Sequence, residues 1–436
     1  MASILTTGPR GGRGGRQFRR VLLDVTPLRL DRDYRYLWGG QVVSGMGNQM
    51  TRIALPYQVY VLTGSTLAVG LLTAVQLLPI LAFSLGGGAI ADAVDRRRLL
   101  LITGSGLALC SLALAWLALS GSRSLLAILA VAFVAASLAA IDQPARSSAI
   151  PRLVPAARLP AAIALNQLNL QTASIVGPAV GGIVIATVGL PAAYALDVVS
   201  FSAAIGTLLA ISPLPPLDRA VRPSLNAILE GLRFARRRPL ILSTFAIDLN
   251  AMIFGMPTSL FPALAVSVFG VGAVGVGLLA AAPAVGAFLG AFLSGWVTTV
   301  RRRGRAVIVA VLAWGAAIVG FGLATFSFPL ALLLLAVAGT ADVLSAVFRS
   351  TIVQLETPDE LRGRVTAIHI LVVTSGPRLG DIEAAAVAAL IGVQASVVTG
   401  GLLCLLGVFV VHRLFPQLDA HVAPVSEVEG GLAAPA

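Results

Sequence analysis

GGGAIADAVDRRR, Gly86 to Arg98, is the stretch that decides how this chain folds. Three glycines close an apolar run that begins near Leu67, Asp92 and Asp95 follow, and three consecutive arginines end it. That order describes a helix leaving a membrane, not a soluble loop. Small residues let two helices approach closely, and arginines hold a helix end on the cytoplasmic side. Asp92 and Arg96 stand four apart, the spacing that pairs opposite charges on one helical face.

Composition agrees. Of 436 residues, 57% are hydrophobic and 11% charged, whereas soluble domains carry about 25% charged residues. Apolar runs recur along nearly the whole length, many near the roughly 20 residues that cross a hydrocarbon core of about 30 Å. Only a polytopic membrane protein fits. The net charge of +12 comes from arginine, since lysine is absent. Because the arginines sit in short loops at the ends of apolar runs, they set topology, and no nucleic-acid partner is expected. Cys110 and Cys404 each lie inside an apolar run, so neither a disulfide framework nor a metal site is indicated. The Gly/Arg-rich stretch from Gly8 to Arg20 reads as disordered. Val21-Leu22-Leu23 is too short before Asp24 and Pro27 to form the core of a cleaved signal peptide.

Breaking the apolar runs at Pro, Gly and charge predicts twelve spans, at 37–62, 67–91, 99–120, 124–146, 158–188, 191–212, 240–268, 272–299, 305–327, 329–352, 364–392 and 394–415. Alternate loops separate by charge. Arg96 to Arg98, Arg146 to Arg158, Arg219 to Arg238, Arg301 to Arg305 and Arg349 to Arg364 share one side with the arginine-rich N-terminus and Arg413; the other side is short and neutral apart from Arg123. Both termini are therefore expected in the cytoplasm. The expected organisation is a disordered tail 1–36, a six-helix bundle 37–212, a cytoplasmic linker 213–239, a second bundle 240–415 and a tail 416–436. Within the linker, Leu225 to Arg237 has apolar residues at helical spacing opposite arginines, which suits either a helix on the membrane surface or a solvated linker.

The halves repeat. Val69-Gly70-Leu71-Leu72 returns as Val276-Gly277-Leu278-Leu279, and the same offset carries Gly88 onto Gly295 and Arg96 and Arg98 onto Arg303 and Arg305. Arg146, Ser147 and Pro155 return as Arg349, Ser350 and Pro358. A duplicated six-helix unit is typical of secondary transporters, whose site lies where the halves meet. The echo of the opening stretch, near Gly290 to Arg305, keeps the arginines and loses the acid. Gly270-Val271-Gly272-Ala273-Val274-Gly275 fits G-x-G-x-x-G, but no strand precedes it, so it reads as membrane packing and not a nucleotide loop.

Gly88, Ile90, Ala91, Asp92, Arg96, Arg97 and Leu100 resemble the loop between helices 2 and 3 of the major facilitator superfamily, with Asp95 in place of the family's second glycine. Gly177-Pro178-Ala179-Val180-Gly181-Gly182 on span 5 resembles the G-P-x-x-G-G motif of that family's exporters. Longer stretches, including NQMTRIALPYQVYVLTGSTLAVGLL and SGPRLGDIEAAAVAALIGVQASVVTGG, are similar to the branch containing siderophore exporters and relatives of macrolide efflux pumps. The resemblance covers Leu37 to Pro416. It implies an all-helical integral membrane fold of twelve spans in two pseudo-symmetric six-helix bundles. It also implies export of a small, largely apolar, siderophore- or drug-like molecule by proton antiport through alternating access in the cell membrane. The 2–3 loop, with Asp142 and Arg146, would latch the halves on the cytoplasmic side. The proton gradient would supply the energy, with no cofactor, no metal and no enzymatic step, and the chain would act as a monomer with substrate, protons and lipid as its partners. The alternative is a membrane sensor or assembly subunit that kept the fold without transporting.

Each ionisable group near a helix centre costs about 2.5 to 3.5 kcal/mol, so such groups should face a cavity or one another. Asp248, Asp342, Arg378, Asp381 and Glu383 are the candidates for proton coupling. Depth predicts an Asp342–Arg378 pair, with Asp381 competing for the same arginine, or a static bridge that orients two helices. Gln49, Arg52, Gln58, Asn166, Asn169 and Asn250 are candidate cavity residues. Asp197 is expected to face its neighbours near the exterior, and His369 to be a packing residue.

Overall fold

The computed structural model describes residues 24–215 and 225–422, and side chains within them except at 84–93 and 225–229. Twelve helical segments of spanning length follow one another: α1 Arg32–Thr63, α2 Thr66–Ala93, α3 Arg96–Leu119, α4 Leu125–Leu153, α5 Leu159–Thr187 and α6 Leu190–Leu209, then α7 from Pro239–Phe254 with its continuation, α8 Gly272–Phe292, α9 Arg303–Leu323, α10 Phe328–Glu356, α11 Asp359–Ile391 and α12 Val393–Leu414. Among the described residues ten segments are long and apolar enough to cross a membrane. The other two, α1 and α11, are the more polar ones, carrying Arg52, and Arg378, Asp381 and Glu383, respectively.

Short polar side chains start several helices. Ser65 and Ser124 accept the backbone N–H groups of Ala68 and Ala127, and Asp95 accepts that of Arg98 at 3.0 Å. Asp95 thus works as the N-cap of α3, binding the backbone of Arg98. Gly270 and Gly272 have φ of +66° and +60° and make the turn between α7 and α8. That is the structural use of the G-x-G-x-x-G segment.

Span 7 departs from the expected continuous helix. It stops at Gly255, crosses Met256 and Pro257 without helical bonding, and resumes as Thr258–Leu260, Phe261–Ala263 and a π-helical Leu264–Val268. Pro257 and Pro262 deny the backbone two donors, and Trp314 Nε1 covers the carbonyl of Gly255 at 2.9 Å. Span 8 ends as α-helix at Phe292 and runs on as a 3-10 segment, Ser294–Thr299.

Within each half the helices pack tightly, α1 on α5 and α6, α2 on α4, α8 on α10, and α9 on α10 and α12. The halves meet through α5 with α8 and α2 with α11. These contacts gather at the neutral-loop end. A Cβ on Gly182 would lie 2.7 Å from the carbonyl oxygen of Ala273. Thr66 Oγ1 donates to the carbonyl of Ala385, and Tyr60 and Ser267 hydroxyls lie 2.7 Å apart. At the arginine-rich end, Tyr34, Leu37, Leu99, Leu100, Ala149 and Leu165 belong to a core cluster confined to the first half. The described halves are therefore joined at one end and cored separately at the other.

Large side chains such as Leu126, Phe292 and Leu390 are exposed on the outer wall, as a lipid-facing surface requires.

The described parts of the expected tails, 24–36 and 416–422, are structured. Thr26–Leu30 is helical, and Tyr34, 1% exposed, donates to the carbonyl of Ala162 at 2.8 Å. Leu418 is fully buried and Asp419 pairs with Arg305 at 3.2 Å. Residues 1–23 and 423–436 lie outside the described part. The linker helix Leu225–Arg237 docks on α11: Glu230 bonds Arg364 at 2.6 Å, and Ala235 is buried with Val365 and Ile368.

Candidate functional site

The most deeply placed charges lie in the second half. Asp248 on α7 and Arg349 on α10 are 1% and 2% exposed and pair at 2.8 Å. A second nitrogen of Arg349 takes Ser345 Oγ at 2.9 Å, and Asp342, two turns back on α10, lies 3.8 Å from the guanidinium. One arginine thus serves two carboxylates. Asp248 is shut in, while the side chain of Asp342 keeps 35% of its surface.

This corrects two expectations. Asp342 pairs with Arg349, and among the described residues no ion pair joins it to Arg378. The apolar run fades near 352 and puts Arg349 at the edge of a loop, yet α10 continues to Glu356 and takes Arg349 into the bundle. The sequence does carry the signal: seven residues make two helical turns and put Asp342 and Arg349 on one face. His369 of α11 stacks on Phe245 at a 6.1 Å centroid distance, as a packing residue does, and also lies within electrostatic reach of Asp248 and Arg349.

Asp342 also forms part of the wall of a cavity of about 40 Å³ beside the break in α7, with Gly255, Pro257, Thr258, Trp314 and Gly339 among its other walls.

Asp381 does not compete for Arg378. Thr258 Oγ1 lies 2.6 and 2.8 Å from its two oxygens and the backbone N–H of Ser259 donates to one of them at 2.6 Å. The interruption in α7 frees these donors, so the break and Asp381 form one feature that a continuous span 7 conceals. Arg378 donates instead to the carbonyl of Thr374 at 2.6 Å. On α1, Arg52 is exposed and donates to Gln49 Oε1 at 3.2 Å. Glu383 is half-buried, and its five-residue offset turns it about 140° around α11 from Arg378.

The polar candidates divide. Gln58 accepts the hydroxyl of Tyr194 at 2.7 Å and Asn250 donates to the carbonyl of Cys404 at 2.9 Å, so both tie helices within a half. Asn169 is buried and Asn166 partly so on α5. Asp197 accepts from Thr51 and Ser111 at 2.7 Å each, and from Ser200, binding α1, α3 and α6 together.

Around the opening stretch, the side chains of Gly88 and Asp92 fall outside the described residues. Arg96 is 2% exposed and donates to Ser148 Oγ at 3.2 Å, while Arg97 donates to the carbonyls of Leu208 and Leu209. Asp142 pairs with Arg146 and accepts from Thr103 at 2.6 Å. All these partners belong to the first half. On α5, Gly177 and Gly181 lie against Gln49 and Met50 of α1, and Gly182 and the carbonyl of Pro178 meet Gly277 of α8. The motif is therefore the seam between halves at the closed end. Among the described residues no three His, Cys, Asp or Glu side chains gather to hold a metal.

Residues 24–433 match the family described as transmembrane secretion effector. The chain belongs to that family. It is a multi-pass membrane protein of the major facilitator fold. Enterobactin exporter EntS of Citrobacter koseri and that of Shigella boydii are each 27% identical to it over 359 residues, covering 82% of this chain and 86% of theirs. In fold it is similar to a bacterial homologue of the iron transporter ferroportin in its inward-facing state, with TM-score 0.69, 14% identity, and coverage of 90% of this chain and 99% of that one. It is likewise similar to the peptide transporter POT, with TM-score 0.71, 12% identity, and coverage of 89% and 95%. The expected family and helical fold hold.

Proposed function

We propose that this member of the family is a secondary active exporter of a siderophore- or drug-like molecule, driven by proton antiport through alternating access in the cell membrane. The observation that carries the reading is the Asp248–Arg349–Asp342 cluster, in which two acids share one arginine and Asp342 also lines a cavity. Protonating Asp342 would leave Arg349 wholly to Asp248, and releasing the proton would restore the contest. The groups facing the cluster are Asp248 from α7, Asp342 and Arg349 from α10 and His369 from α11. A proton bound in one conformation and released in the other would bias the rocking of the halves.

The alternation of loop charge supports a cytoplasmic location for the arginine-rich end, and with it both termini. In that orientation the halves are joined on the outside, and Ser148, Leu208 and Leu209, which take Arg96 and Arg97, belong to the first half. The chain works as a monomer, with lipid around it and no cofactor, and moves its substrate without transforming it. The exporter names of the relatives support the direction of transport.

The test is uptake into inside-out proteoliposomes under an imposed pH gradient, with siderophores and macrolides as substrates. The wild type should transport. Asp342→Asn should insert normally but lose pH-driven transport, and intact driven transport in that variant would overturn the assignment.

A further inference from the structure

We propose that an anionic group of the substrate, a carboxylate or similar planar acid, binds between Arg52 of the first half and Arg378 of the second. The inference rests on the transport reading and names the chemistry of the substrate at its own site.

Three observations converge. First, at 1.5 Å per residue Arg52 lies about 16 Å and Arg378 about 20 Å from the neutral ends of α1 and α11, so both sit near mid-membrane. One stands on each half. Second, neither guanidinium is neutralised by an ion pair among the described residues: Arg52 donates to the amide oxygen of Gln49, and Arg378 to the backbone carbonyl of Thr374. Third, the acid within electrostatic reach of both, Asp381, has its oxygens bonded by Thr258 and Ser259. Two cations and one engaged anion leave a local net positive charge at mid-membrane depth, where Arg52 is exposed to an incoming ligand.

Among the described residues no acid forms an ion pair with either arginine. Asp248 and Asp342 form ion pairs with Arg349, and Glu383 faces another sector of α11. A guanidinium presents a planar fork that matches a carboxylate, so a substrate acid is the missing partner. The arginines belong to different halves, so their separation changes as the halves rock. A bridging anion would bind one conformation better than the other, which is what substrate must do to drive the change. The expectation of a largely apolar substrate therefore gains a required acid.

The experiment is calorimetric titration of the purified full-length chain with salicylate and its neutral amide, salicylamide. The wild type should bind salicylate at least tenfold more tightly than the amide, with affinity falling as salt rises. Arg52→Gln and Arg378→Gln should each weaken salicylate tenfold or more and leave the amide unchanged, while Arg52→Lys and Arg378→Lys should retain part of the affinity. Gel-filtration profiles matching the wild type show that each variant is folded. Equal binding of acid and amide, no salicylate binding by the wild type, or full affinity in the Gln variants would overturn the proposal. Proton-driven transport that persists alongside any of these results would sink the anion site alone. Anion binding without proton-driven transport would sink the antiport alone.

Discussion

Arg349 shows how much one buried cation can hold. It reaches Asp248 at 2.8 Å, Ser345 at 2.9 Å and Asp342 at 3.8 Å. Removing one partner of a buried ion pair costs about 3 to 5 kcal/mol, because the charge left behind stays desolvated. Arg349→Gln should therefore lower the apparent melting temperature in detergent and abolish transport. The pair Arg349→Gln with Asp248→Asn should recover much of the stability without recovering transport. A double-mutant cycle on melting measures this, and equal melting of the two variants would show that Asp248 is not the acid left behind. The individual acids are legible in the sequence, since an aspartate inside an apolar run stands out. Their partners are not, because a fading apolar run hides where a helix ends, and depth alone makes Arg378 look like the partner of Asp342.

Among the elements, α8 and α10 show how small residues set the distance between helices. A Cβ on Gly286 would collide with the carbonyl of Ala336, and one on Gly339 with the carbonyl of Pro283. Gly286→Val should overpack this seam, at a cost of about 1 to 3 kcal/mol. On α6, by contrast, a Cβ added to Gly206 would meet no heavy atom within 4 Å. Gly206→Ala should therefore leave stability unchanged or raise it, since alanine favours helix by about 1 kcal/mol over glycine. Thermal unfolding of both variants in one detergent checks the contrast, and equal shifts would remove packing as the cause. The interrupted α7 is only partly legible. Gly255, Pro257 and Pro262 stand in plain sight, but proline is common in membrane helices. What decides the break is that Trp314 and Asp381 satisfy the backbone and side-chain groups it exposes.

For the whole molecule, the halves are fastened at the neutral end by Tyr60 with Ser267, Thr66 with Ala385, and Gly182 against α8. Tyr60→Cys with Ser267→Cys, in a chain whose buried Cys110 and Cys404 are replaced by alanine, should be bridged by a short bis-methanethiosulfonate reagent that replaces the reach of the tyrosine ring, and the bridge should stop transport until it is reduced. Unimpaired transport by the fully crosslinked protein would show that this end need not open. The sequence by itself determined that the chain spans a membrane many times, that its loops alternate in charge and that its halves repeat. Those properties follow from runs of apolar residues, local charge and internal copying, all of which are local in the chain. Tertiary structure alone decided that Arg349 reaches Asp248, that Asp381 binds the interrupted α7, and that Arg52 and Arg378 form no ion pair among the described residues. The reason is physical: depth along a helix follows from counting residues, but the partner of a buried charge depends on how each helix is rotated and which neighbour it meets.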